Sequence, residues 1–144
     1  MKIISHRGNL QGPDVQNENT IESIFTAIAK GFGVEIDVWV IDGVIYFGHD
    51  DPDRIIDKKI IDMIGLDGWF HCKNLEAIDF FIKNYSSFNY FWHQQDDFTL
   101  TSNRIVWTYP GKEVGPSSII VLTEPSEYNM INSNVYGICT DYPE

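Results

Sequence analysis

Several things are scarce in this chain of 144 residues, and each scarcity excludes something. No run of about 18 apolar residues occurs, so no membrane insertion is expected. Positive charge is thin: ten Lys and Arg stand against 21 Asp and Glu, a net charge of −11. A field of that sign repels phosphate backbones and anionic head groups, so no nucleic-acid partner and no charged membrane surface is expected. It leaves room for a locally basic pocket holding one small phosphate. Cysteine is nearly absent. Cys72 and Cys139 lie far apart, form no CxxC, and read as free thiols of a reducing, cytoplasmic setting. The opening residues Met1 to His6 turn polar too early for a signal peptide. No repeat, low-complexity tract or linker interrupts the chain, so a single domain over 1–144 is expected.

What is present is an ordinary globular balance, 43% apolar and 22% charged, with 14% aromatic residues. Short β runs alternate with short helical runs. Ile3–Ser5 is a β run that ends at His6-Arg7-Gly8. A polar loop with Gly12-Pro13 leads to Asn19, which reads as a helix N-cap with Glu22 completing a capping box. Ile21, Ile24, Phe25, Ile28 and Phe32 recur at helical spacing, and Gly31 can stop that helix. Residues Val34 to Val40 alternate strictly, Asp42-Gly43 is a hairpin turn, and Val44–Gly48 is the return strand. Ile56, Ile60, Met63 and Ile64 predict a short helix ending at Gly65. Trp69–Lys73 is a strand, and Asn74 caps a helix with Leu75, Ile78, Phe81, Ile82 and Tyr85 on one face. Beyond that the helices fade, and Tyr90–His93, Arg104–Thr108, Ser118–Leu122 and Val135–Thr140 read as strands.

The chemistry-bearing residues gather at strand ends. Glu35 and Asp37 are two apart on one strand, so both carboxylates point one way while Val34, Ile36 and Val38 point the other. Two oxygen donors on a rigid strand suit a hard divalent cation. The same alternation also suits a half-exposed antiparallel strand with a solvated acidic face. His6 and His49 follow strands and have the chemistry of general acids or bases; Arg7 can fork around a phosphate. His71 and Lys73 share one face of their strand, and His93 closes another. Each alone has a plain structural explanation. Together, histidines, cations and carboxylates at strand C-termini describe the mouth of a parallel β/α architecture and metal-assisted phosphoryl chemistry.

Taken in order, His6-Arg7-Gly8, Glu18-Asn19-Thr20, Glu35-x-Asp37 and His49-Asp50 resemble the motif of the glycerophosphodiester phosphodiesterase family, among the phosphatidylinositol-phospholipase-C-like barrels. The likeness spans about residues 3–54. The segment Gly137 to Pro143, with Thr140-Asp141-Tyr142-Pro143, is similar to that family's last strand, and Ile105–Thr108 to its penultimate one. The resemblance implies an α/β fold, a small (β/α) TIM-type barrel. It implies metal binding by Glu35 and Asp37, acid–base catalysis by His6 and His49, and phosphate neutralisation by Arg7 and Lys73. It implies a small phosphodiester substrate, a divalent ion, usually Mg2+ or Ca2+, and a cyclic phosphate intermediate.

Two departures from the family are visible. Its third metal ligand is a Glu two residues before the lysine, and here that position is His71. Imidazole suits Mn2+, Zn2+ or another transition metal better than Mg2+ or Ca2+. Seven or eight strand units in this length leave about 18–20 residues each, against about 31 in a full barrel, so several outer helices must be shortened or missing. The bare flank would then need a cover, such as a second copy in a homodimer. Three outcomes stay open: a hydrolase, a degenerate barrel that binds a phosphorylated ligand without turnover, and a lyase that stops at the cyclic phosphate.

Overall fold

The computed structural model describes residues 1–130 and 134–144. The elements are β1 (Lys2–His6), α1 (Ile21–Ala29), β2 (Gly33–Ile41), β3 (Val44–Phe47), β4 (Arg54–Ile56), α2 (Lys58–Ile64), β5 (Gly68–Cys72), α3 (Leu75–Asn84), β6 (Asn89–Phe91), β7 (Phe98–Leu100), β8 (Val106–Thr108), β9 (Ser118–Leu122) and β10 (Gly137–Thr140). Short 3-10 turns follow α2 and β9. This is an α/β fold built on one curled, mixed sheet with few helices. Strands β6-β5-β2-β1-β10-β9-β8 run parallel in that order. No ladder joins β6 to β8 among the described residues, so by strand pairing the sheet is an open half-barrel. The turn before β8 spans part of the gap. The Ser102 backbone N–H donates to the Tyr90 carbonyl at 2.9 Å, and the Tyr90 N–H donates to the Ser102 hydroxyl at 2.9 Å.

β2 organises the molecule. It is nine residues long, and its edge opposite β1 is shared. Val34 to Val38 pair with β5, and Val38 to Ile41 pair antiparallel with β3. The β2–β3 turn is Asp42-Gly43, with φ of 50° and 80°, the left-handed pair a two-residue hairpin needs. The period-2 alternation then sorts the side chains. Ile36 and Val38 face outward into an apolar layer with Phe70 of β5, Ile24 and Ala27 of α1, and Ala77 and Phe81 of α3. Fully burying each large side chain there contributes about 1.5–3 kcal/mol. The opposite face carries Glu35 and Asp37 inward, above a second apolar cluster of Ile4, Trp69, Phe91, Trp107 and Ile119. Gly33 leaves space for that layer: a Cβ there would sit 3.4 Å from the Trp69 Nε1 and 3.3 Å from Ile4.

Two sequence expectations are corrected. The N-cap of α1 is Thr20, whose hydroxyl accepts from the Ser23 N–H at 3.1 Å; Asn19 sits outside the helix at φ 57°. Ile56 belongs to β4, paired with Ile45, and α2 starts at Lys58 behind an Asp57 cap. Of the two readings that the alternation of β2 allowed, the structure shows the inward one for Glu35 and Asp37: both faces of the strand are buried. Two short antiparallel strands, β4 and β7, had no sequence signal. Asn74 does cap α3, and its amide also bonds the Val40 backbone at both ends, tying the helix to the end of β2. Among the described residues α-helices occur only in the first 84, as the fading periodicity suggested. On the bare flank Ile3 is 38% exposed beside an apolar recess of about 290 Å³. No helix among the described residues is long and apolar enough to cross a membrane. Cys72 and Cys139 are both free and buried.

Candidate metal and phosphate site

Parallel register brings the site together. His6 pairs with Glu35, and Asp37 pairs with His71, so three adjacent strands present their inward residues side by side at their C-terminal ends. Asp37 is the hub. It is fully buried, and four cationic or potentially cationic side chains surround it. Arg7 Nε lies 3.3 Å and His49 Nδ1 3.3 Å from Oδ2. His71 Nδ1 lies 3.2 Å and Lys73 Nζ 3.8 Å from Oδ1. Burial works to raise the Asp37 pKa, but the His49 and His71 imidazoles and the Arg7 guanidinium hold it well below the usual carboxylate range. Glu35, 2% exposed, lies 3.5 Å from His71 Nδ1 and 3.8 Å from His6 Nε2. All seven residues singled out in the sequence therefore belong to one network: His6, Arg7, Glu35, Asp37, His49, His71 and Lys73.

Hydrogen bonding assigns the imidazole protons. His6 Nδ1–H donates to Asp141 Oδ1 at 2.9 Å, so its Nε2 faces the centre. Burial disfavours charge on His6, yet the Asp141 hydrogen bond and the Glu35 carboxylate raise its pKa above the ordinary value. His49 Nε2 accepts from Arg7 Nη2 at 3.2 Å, leaving the proton on Nδ1, toward Asp37. His71 Nε2–H donates to the His93 carbonyl at 2.8 Å, so its Nδ1 points at the two carboxylates. Burial opposes charge there too, but Asp37 and Glu35 lift the His71 pKa to about 9. One carboxylate oxygen of Glu35, Oε2, and one of Asp37, Oδ1, are buried and accept no well-formed hydrogen bond. Such atoms are costly unless a cation satisfies them. One ligand atom each from Glu35, Asp37 and His71 lies within 4.8 Å of the others.

The sequence did not assign four residues that hold this centre. Asn19 clamps Asp37 from two sides: its Nδ2 donates to Oδ2 at 3.0 Å and its Oδ1 accepts the Asp37 backbone N–H at 3.0 Å. Asp141 orients His6 and is itself fixed by Asn9 Nδ2 at 2.8 Å. Burial would raise the Asp141 pKa, but His6 and Asn9 lower it. Glu18 accepts from Arg7 Nη1 at 3.3 Å. Arg7 and Asn19 both sit at positive φ, 56° and 57°, which costs non-glycine residues about 1 kcal/mol each and clusters where function demands it. The parity of β10, Cys139 then Asp141 on the inward side, was the available signal for Asp141. A cavity of about 140 Å³ lined by Glu18, Asn19, Gly48, His49 and Arg54 adjoins the network. A larger one of about 540 Å³ lies between the β1–α1 loop and α1, lined by none of the seven network residues.

The chain matches no protein-family model, no curated protein and no solved structure.

Proposed function

We propose that the chain is an abridged TIM-type phosphodiesterase that cleaves a small phosphodiester of the glycerophosphodiester type with the help of one divalent ion. The observation that carries this reading is the convergence of ligand atoms from Glu35, Asp37 and His71 within 4.8 Å of one another, with Glu35 Oε2 and Asp37 Oδ1 buried and accepting no well-formed hydrogen bond. Two carboxylates and one imidazole are a donor set that fits a divalent cation. A divalent ion held there supplies neutralisation of charge on the phosphate oxygens.

The chain's own groups supply the rest. Arg7 and Lys73 offset the remaining phosphate charge; to do so Arg7 leaves His49, which frees His49 Nε2. His49 Nε2 takes the proton of a neighbouring substrate hydroxyl as its oxygen attacks phosphorus. His6, whose pKa the Asp141 hydrogen bond helps to raise, gives its Nε2 proton to the departing alcohol oxygen as the phosphorus–oxygen bond breaks. The product is a cyclic phosphate and a free alcohol. In the second step water attacks the ring phosphorus, His6 takes the water proton, and His49 returns its proton to the ring oxygen released. Both imidazoles end as they began.

The test is alcohol release from an unactivated glycerophosphodiester, with divalent ion and with chelator. His6→Ala and His49→Ala should each lower the rate about 10²–10⁴-fold with the circular dichroism spectrum unchanged. Undiminished release in either variant removes that residue from the reaction. Tight binding of a phosphorylated ligand with no release by the native chain would make it a non-catalytic binder. A cyclic product that is never opened would make it a lyase.

A further inference from the structure

We infer that the centre is a mixed oxygen–nitrogen site, with His71 Nδ1 as its third donor, and that it selects a transition ion of the Mn2+ to Zn2+ class over Mg2+ and Ca2+. This rests on the proposal that the cluster holds an ion, and it concerns which ion and through which atoms.

The imidazole is built as a ligand. A carbonyl can only accept, so the 2.8 Å bond from His71 Nε2 to the His93 carbonyl places the proton on Nε2 and turns Nδ1 inward. Ligating histidines characteristically carry such a bond on the far nitrogen, which fixes tautomer and ring plane. The His71 ring also lies against Phe91, centroids 5.0 Å apart and planes 11° from parallel. The accepting carbonyl is held in turn, because His93 Nε2–H donates to the Asp96 carbonyl at 2.7 Å and closes the loop after β6 on itself.

No further carboxylate takes the place of an oxygen donor. Asp141 Oδ1 already accepts from His6 and Asn9, and Glu18 Oε1 from Arg7. Among the described residues Glu35, Asp37 and His71 are the one group of three or more whose ligand atoms all lie within 4.8 Å of one another. Two anionic groups and one neutral nitrogen give an ion one negative charge less than three carboxylates would. Ca2+ and Mg2+ lose most from that change, since they take oxygen donors and gain little from imidazole. Mn2+ and later ions gain a donor that suits them. Any site favours the later ions to some degree, so the decisive quantity is how the preference changes when the nitrogen is removed.

The experiment uses the full chain stripped of metal by chelation. Calorimetric titration with Mn2+, Zn2+, Mg2+ and Ca2+ is made on the native protein, on His71→Glu and on His71→Gln, with thermal unfolding to confirm that each is folded. The Mn2+-loaded proteins are also examined by electron spin-echo modulation, which detects a coordinated nitrogen. The native chain should show nitrogen coupling, and both variants should lose it. His71→Glu should narrow the Mn2+ over Mg2+ preference about tenfold or more, the scale on which site residues set metal affinity. Absence of nitrogen coupling in the native protein, its persistence in His71→Glu, or an unchanged Mn2+/Mg2+ ratio overturns the inference. A chain that shows the coupling but cleaves no diester keeps the inference and loses the catalytic proposal. One that cleaves with Mg2+ and shows no nitrogen coupling does the reverse. A native chain that binds none of the four ions refutes both.

Discussion

His6 donates its Nδ1–H to Asp141 at 2.9 Å, joining the end of the first strand to the residue just beyond the last, 135 positions away. The bond does two things. It turns Nε2 toward Glu35, and it offsets the burial that would otherwise discharge the ring. The orientation of the first strand's histidine thus depends on the last strand being in place.

The Asp141→Asn variant should therefore lower the His6 pKa, because the hydrogen bond to a charged acceptor and its Coulombic attraction both disappear. Histidine ring proton shifts followed against pH would check this. The linked stability has a definite window. His6, raised in the folded state, contributes below its unfolded value and loses that contribution as pH rises through the folded value. Asp141, lowered in the folded state, contributes above its unfolded value and loses it as pH falls through the folded one. The native chain should exceed the variant in stability most between the carboxylate range and about pH 6.5, and the gap should shrink on both sides. A pH-independent gap in urea unfolding would show that the pair is not coupled to folding.

Asn19→Ala should destabilise the protein by about 2–4 kcal/mol, since two hydrogen bonds to a buried carboxylate residue are lost and an alanine is left at φ 57°. Asn19→Gly should recover about 1 kcal/mol of that, the part due to backbone strain. Equal losses in the two variants, measured by denaturant unfolding, would mean the side-chain clamp accounts for the whole effect.

Gly48→Ala should disable the loop that carries His49. A Cβ at Gly48 would lie 2.0 Å from the Asp51 carbonyl oxygen, a contact no rotamer relieves, and the Gly48 carbonyl accepts from Trp39 Nε1 at 2.8 Å. Gly43→Ala is the matched control: its φ is also positive, but nothing lies within 4 Å of the added carbon. The control should cost about 1 kcal/mol and leave diester cleavage near normal, whereas Gly48→Ala should lose cleavage. Similar behaviour of the two would show that close packing at Gly48 does not position His49.

The division between what the sequence revealed and what it concealed follows from range. Parity along one strand is local, so the shared face of Glu35 and Asp37, and of His71 and Lys73, was readable from alternation, whereas which face turns inward needed the gathering of charged groups at several strand ends. The Asp42-Gly43 hairpin and the Asn74 cap are local for the same reason. Asn19 was misread because its residue type suits a cap, while its amide is claimed by Asp37 on a strand 18 positions away. Ile56 fitted a helical spacing, but pairing with Ile45 took it into β4. The three-residue strands β4 and β7 are too short to carry a period, and the role of Asp141 needs the sheet order β10-β1-β2 to exist first.

Phosphorus NMR of the native chain acting on an unlabelled glycerophosphodiester in the presence of diamagnetic Zn2+ tests the central claim most directly. The account predicts that the diester resonance declines, that a cyclic phosphate resonance rises and then falls, and that a glycerol monophosphate accumulates. The Asp37→Asn variant should leave the diester intact. A native spectrum in which the diester persists unchanged, with the protein folded and the ion bound, would contradict it.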